Sequence, residues 1–144
     1  MNEPEVVDLS IRECRTKDVE AVLEFWRQAE ATPSITDTVD DLRRAIASSS
    51  AKVLVAELSE SLVGSIIGTF DGWRGNVYRM AVHPKHRRRG IARALVAEVE
   101  KWLAGQGAKR VTALVEKDHS WATDFWTAVG YGVDYRIARH VRSL

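Results

Sequence analysis

Hydrophobic and polar positions change period several times along this chain, and each change marks an element. Leu9 and Ile11 alternate with Ser10 and Arg12, which predicts a strand reaching about Cys14. Val19, Val22, Leu23 and Trp26 then recur at helical spacing, so a helix is expected behind Thr16-Lys17-Asp18, with Thr16 as its N-cap. The segment 31–36, with Pro33 at its centre, breaks that helix. A second helix is expected from Asp37-Thr38 through Leu42 and Ile46 to residues 48–50. Residues 52–58 and 62–70 read as two strands joined by a turn at Ser59-Glu60-Ser61, with Gly64 and Gly68 marking bulges.

The second half is punctuated more sharply. Asp71-Gly72-Trp73-Arg74-Gly75 is a turn into an apolar strand over 76–82. Alternation places Met80 and Val82 on one face of it. Pro84 cannot donate to a ladder and ends the strand, and His83 before it is pushed toward extended geometry. Ile91, Leu95, Val99 and Trp102-Leu103 form the apolar face of a long helix that stops at Gly105-Gln106-Gly107. A β-rich strand is expected over 110–116, a helix from about Ser120 to Ala128, and strands near 131–136 and 137–142. Residues 1–7 read as a loose lead-in and residues 8–144 as one domain.

Composition narrows the class. A chain of 144 residues, 45% hydrophobic and 28% charged, is sized for one globular domain with a core of its own. Its 21 basic residues nearly balance 20 acidic ones, and a net charge of +1 argues against a general nucleic-acid or membrane binder. Cys14 stands alone, so no internal disulfide forms and a reducing, cytoplasmic setting is expected. The acidic start Met-Asn-Glu-Pro-Glu is unlike a signal peptide, and no apolar run has membrane-spanning length.

Positive charge is instead gathered at one place. Lys85-His86-Arg87-Arg88-Arg89 lies between the strand end and Gly90, which opens the long helix. Basic turns are commonly just solvated. A glycine at a helix start is different, because free N–H groups, the positive end of the helix dipole and the guanidinium charges converge there. Gly90 and Ala92 lack bulk, so a pyrophosphate can approach the backbone. Backbone N–H groups of residues 88–92 are expected to hold it, while the arginines steer.

Arg87-x-x-Gly90-x-Ala92 after this strand end resembles the (Q/R)-x-x-G-x-(G/A) loop of the GNAT family of N-acetyltransferases. Ala122-x-x-Phe125-Trp126-x-x-x-Gly130-Tyr131 is similar to the family's A-x-x-F-Y-x-x-x-G-F segment, and the resemblance runs from about residue 8 to the end. It implies an α/β (α+β) fold: a mixed, mostly antiparallel sheet with helices on both faces. Within it, the parallel strands 76–82 and 110–116 splay apart. It also implies acetyl-CoA as cosubstrate, its pantetheine arm in that gap and paired with backbone of Met80, Ala81 and Val82. One strand N–H would serve as oxyanion donor. Arg87 takes the Q/R position, and Arg88, Arg89, Gly90, Ile91, Ala92 and Arg93 complete the cofactor loop. Arg88, Arg89 and Arg93 are auxiliary charge for the 3′-phosphoadenosine end, or simply surface. No metal is implied.

The resemblance has two departures. Trp126 stands where many relatives carry a tyrosine that protonates the leaving thiolate, and an indole N–H is no acid. Trp126 is left to pack or to wall the cofactor sulfur, and Phe125 to pack. His119 stands where many relatives carry Asn. The acceptor amine must still lose a proton. Strand 76–82 has no acidic residue, so Glu116, Asp118 and His119 are the candidate bases, with Asp71 and Tyr78 behind them. Asp37, Asp40, Asp41, Asp71 and Asp118 could supply negative charge for a cationic acceptor. Asp71 and Arg74 fit turn-pinning and substrate contact about equally. Trp26 and the 31–37 segment fall, by resemblance, where the family has its variable substrate-side lid. Cys14 has no neighbouring His in sequence and makes a poor covalent nucleophile.

The expected activity is transfer of acetyl from acetyl-CoA to a primary amine, small molecule or protein, with no nucleic-acid or membrane partner and with room for a homodimer. Two alternatives stay open: a CoA-binding sensor without turnover, motivated by the missing tyrosine, and a nucleic-acid module built on residues 85–93.

Overall fold

The computed structural model describes residues 8–144, and the expected lead-in at 1–7 lies outside them. The chain packs as two units, one ending at Ala113 and one spanning Leu114–Leu144. The first unit is built on five strands in sequence order: β1 (Leu9–Glu13), β2 (Ala51–Leu58), β3 (Ser61–Phe70), β4 (Gly75–Val82) and β5 (Val111–Ala113). The first three pairings are antiparallel and β4–β5 is parallel. Helices α1 (Val19–Gln28) and α2 (Val39–Ala47) follow β1, and α3 (Ile91–Gln106) follows β4.

Strand alternation distributes these helices over both faces. Val53, Val55 and Ala81 share a core with Val19, Val22, Phe25 and Trp26 of α1 and Leu42 of α2. The opposite face meets α3, whose Ile91, Leu95, Val96, Val99 and Leu103 are all buried. Gly68 is explained by that approach: a Cβ there would lie 2.4 Å from Val99 Cγ2. It marks close helix packing, not the expected bulge. The irregularity near Gly64 involves Val63, which has no partner between the pairs Ala56↔Gly64 and Glu57↔Leu62.

Local chemistry sets the boundaries. Thr16 is not the N-cap expected of it, because residues 16–18 form a 3₁₀ turn before α1. Asp18 stands at the N-cap of α1 instead, and its Oδ2 accepts from Arg15 N at 2.8 Å, closing the 3₁₀ turn. Thr38 caps α2, accepting from Asp41 N at 3.1 Å. Ser59 and Glu60 both take positive φ (50° and 69°), the geometry of a two-residue hairpin turn. Gly107, at φ 100°, ends α3.

Arg12 ties β1 to this frame. It donates to Asp18 at 2.7 and 3.0 Å and to Glu57 at 2.8 Å through Nε. The guanidinium holds the Asp18 carboxyl below the ordinary carboxylate range. A depressed folded pKa stabilises above the unfolded value and loses that contribution as pH falls through the folded one. Asp18→Asn is therefore expected to lower Tm at neutral pH and to shrink the Tm drop between neutral and strongly acidic solution. An unchanged acid-induced drop would contradict the assignment.

The second unit contains α4 (Ser120–Ala128), where the sequence places it. The strands expected near 131–136 and 137–142 do not form, and residues 131–144 are irregular. Alternating apolar residues satisfy only one requirement of a strand; the other is an edge to pair with, and this unit holds no strand among its described residues. The strand expected over 110–116 is likewise shorter, ending at Ala113.

Candidate active site

Two features meet along β4. The first is an opened edge. β4 pairs with β5 only through Gly75↔Val111, Asn76↔Thr112 and Val77↔Ala113. Beyond Val77, β4 has no strand partner on that side among the described residues, so its backbone there can bond something else. The second is a bulge. Ile67 pairs with Tyr78 and Ser65 with Ala81, so two β4 residues, Arg79 and Met80, stand against Ile66 alone. Arg79 takes φ 54°, in the left-handed region. The bulge interrupts alternation between Tyr78 and Ala81, and regular pairing resumes at Ala81 and Val82.

A buried chain of hydrogen bonds fixes this bulge. Trp26 Nε1 donates to Ser65 Oγ at 2.9 Å, and Ser65 Oγ donates to the Arg79 carbonyl at 2.8 Å. Ser65 is the one fully buried polar side chain among the described residues. Its conformation and that of Trp26 are thereby committed to the backbone of β4.

Val82 leads into the basic loop. His83 N donates to Val63 O at 2.8 Å and its Nδ1 accepts from Lys85 N at 3.2 Å, starting a 3₁₀ turn over Pro84–His86. Arg88 and Gly90 both have positive φ (63° and 81°), and Gly90 is the N-cap of α3. The first bond of the helix ladder here runs from Ala94 N to Gly90 O at 3.0 Å. The amides of Ile91, Ala92 and Arg93 therefore precede the ladder and open at the helix end. Left-handed residues beside a helix N-terminus turn successive N–H groups to one side, a cradle for an anion. The cluster is electropositive enough to act on its own members: burial, with Arg89, His83 and Lys85, lowers the His86 pKa. These residues fit the phosphates that the sequence led us to expect, with Arg87, Arg88, Arg89 and Arg93 around the cradle.

The other predicted residues fall as follows. Glu116 and His119 come together, Oε2 to Nε2 at 2.7 Å, while Asp118 is exposed in the same turn. Trp126 is buried, edge-on to Phe125 and Tyr131 with centroids 5.4 and 4.7 Å away. That is a packing role. Trp126→Phe is expected to change substrate fit at most, with no new limb in the pH–rate profile; a lost limb would show that the indole has a protonic role after all.

Asp71 pins its turn, accepting from Trp73 N and Arg74 N at 2.8 Å each, and these bonds lower its pKa. Of its two readings the structural one accounts for its contacts. Asp41 accepts from the hydroxyl of the cap residue Thr38 at 2.8 Å and pairs with Arg44. Asp37 is bound to Arg79, a pairing that sequence gave no sign of across 42 positions. Burial pushes the Cys14 thiol up to about 11, so it is not a thiolate near neutral pH.

A strand edge opened beside a bulge, leading straight to an anion cradle at a helix N-terminus, suits an extended, phosphate-bearing ligand. The chain belongs to the acetyltransferase (GNAT) family, whose model matches residues 19–131, and it is an acyl-CoA-dependent N-acetyltransferase. It is 36% identical over 111 residues to an acetyltransferase of Pectobacterium atrosepticum, covering 77% of this chain and 79% of the relative. Its fold is similar to that of the PaiA N-acetyltransferase of Thermoplasma acidophilum in complex with coenzyme A. There the TM-score is 0.78 at 19% identity, covering 88% of this chain and 91% of the other. It is also similar to a ribosomal-protein-alanine N-acetyltransferase of Brucella melitensis, with TM-score 0.75, 18% identity and coverage of 94% and 99%.

Proposed function

We propose that this protein transfers acetyl directly from acetyl-CoA to a primary amine, with the carrier lying along β4 and its phosphates in the cradle of residues 88–92. The observation that carries this is the continuity of the unpaired β4 edge with the Gly90 helix start, within a chain of this family. Acetyl-CoA supplies the activated acyl group as a thioester. Backbone groups of Met80, Ala81 and Val82 align it, and a β4 N–H stabilises charge on the carbonyl oxygen as the amine attacks. The new bond is C–N and the broken bond is C–S; the thiolate leaves and is protonated from solvent.

Glu116 and His119, with Asp118, remain our candidates for the base that takes the acceptor's ammonium proton, a role carried over from the family resemblance. A carboxylate oxygen 2.7 Å from the His119 ring nitrogen orients the imidazole, as a positioned base requires. Asp118 contributes local negative charge. Trp126 gives no proton, so the thiolate leaves without a side-chain acid at that position.

The test is release of free thiol from acetyl-CoA across a broad panel of amines, with each product checked by mass for one added acetyl group. Thiol release matched by an acetylated amine is the expected result. Tight CoA binding with no turnover on any amine would instead establish a sensor.

A further inference from the structure

Arg79 is spent only in part. Its Nη2 donates to both Asp37 oxygens, at 2.8 and 2.7 Å, and its Cζ lies 5.2 Å from the Trp26 ring centroid. Asp37 in turn organises its own loop, accepting from Ser34 N at 2.9 Å. The guanidinium is thus held against an aromatic face by a carboxylate that is itself anchored. Its side chain is 16% exposed and that of Asp37 is 23% exposed. Arg79 Nε and Nη1 bond to no described residue. An arginine this enclosed, with one nitrogen committed and two still offering donors, is set up to receive a second anion.

The position matters as much as the chemistry. Arg79 is the bulge residue of β4, and its backbone is clamped from behind by Ser65 and Trp26. Asp37 is one of the acids whose charge would suit a cationic acceptor. Its charge is answered by Arg79, so what this end of β4 offers an incoming molecule is a guanidinium edge.

We infer that Arg79 is a specificity-determining residue that binds a carboxylate of the acceptor, so that the preferred substrates are amines bearing a carboxylate, as free amino acids do. The inference rests on the reading that β4 aligns the thioester, which places the acceptor beside the bulge. Trp26 and Asp37 act as positioning residues, holding the guanidinium plane and leaving its outer donors available.

The experiment compares kcat and KM for each of the free amino acids with its carboxamide and its decarboxylated amine, in wild type, Arg79→Lys and Arg79→Gln. In the wild type, kcat/KM for the best amino acid is expected to exceed that of its carboxamide at least tenfold. Arg79→Gln is expected to bring that ratio close to one, mostly by raising the amino-acid KM, with CoA affinity by calorimetry unchanged. Arg79→Lys should retain part of the preference, because the charge remains while the fork is lost. Equal use of acid and amide, or preference for polyamines, would overturn the inference and leave acetyl transfer standing. So would a preference that survives Arg79→Gln. Loss of CoA affinity in both variants would assign Arg79 to the integrity of the bulge, which also overturns it. Silence on every amine in all three arms would take down the transfer reading as well.

Discussion

Alanine at Glu116 is expected to slow acetyl transfer about a hundredfold at neutral pH, a typical scale for removing a general base. His119→Ala should cost about as much, and the double variant little more than either alone, because two residues acting as one unit do not contribute additively. The 2.7 Å contact between them is the reason to expect that coupling. The effect should lie in kcat and weaken as pH rises, since an amine already neutral needs no base. An exposed charge that merely attracted the acceptor would be worth far less and would act on KM. Asp118→Ala, in the same turn, is the internal comparison and is expected to lose only a few-fold. If all three variants keep near-full activity and an unchanged acidic limb, the proton leaves by another route, and solvent acting on a neutral amine becomes the better account.

Gly90→Glu is expected to weaken CoA binding at least tenfold, about 1.4 kcal/mol or more. Two separable terms contribute. Gly90 sits at φ 81°, where an L-residue pays of order 1–2 kcal/mol, and the added carboxylate places a like charge against phosphate at the helix start. Gly90→Ala carries the first term without the second, so comparing the two variants isolates the electrostatic part. That part should shrink with added salt and the conformational part should not. Unchanged CoA affinity in a folded Gly90→Glu variant would place the phosphates elsewhere.

How much of this was legible in the sequence depends on what each feature needs. The cradle was legible because its parts are local: Pro84 stops a strand, Gly90 starts a helix, and basic residues fill the interval. Helix α4 and the 58–61 hairpin were legible for the same reason. The bulge was not. Left-handed conformation usually advertises itself as glycine or asparagine, and here an arginine adopts it, held by a serine and a tryptophan from distant segments. Sequence placed Trp26 in a helix's apolar stripe correctly; its indole N–H had a second task that periodicity does not register.

The acids show the same divide. Asp37, Asp40, Asp41, Asp71 and Asp118 looked equivalent as sources of negative charge. Contacts separate them: Asp71 accepts from local backbone amides, Asp41 accepts from the Thr38 hydroxyl and Arg44, and Asp37 answers Arg79. At the other end of the chain, Val133, Tyr135, Ile137 and Val141 carry a strand-like pattern and are exposed without a ladder. Pattern specifies which face a strand would bury, while pairing depends on an available edge.

The central claim is that CoA lies along the open part of β4 and ends at the start of α3. Amide-resolved NMR of the 16.1 kDa protein titrated with CoA tests it most directly. The amides of Met80, Ala81 and Val82 and those of residues 88–92 should shift together, saturating with one affinity, and the shifts at both places should fade in parallel in Gly90→Glu. Saturable CoA binding that leaves both stretches unmoved while perturbing amides elsewhere would contradict the account.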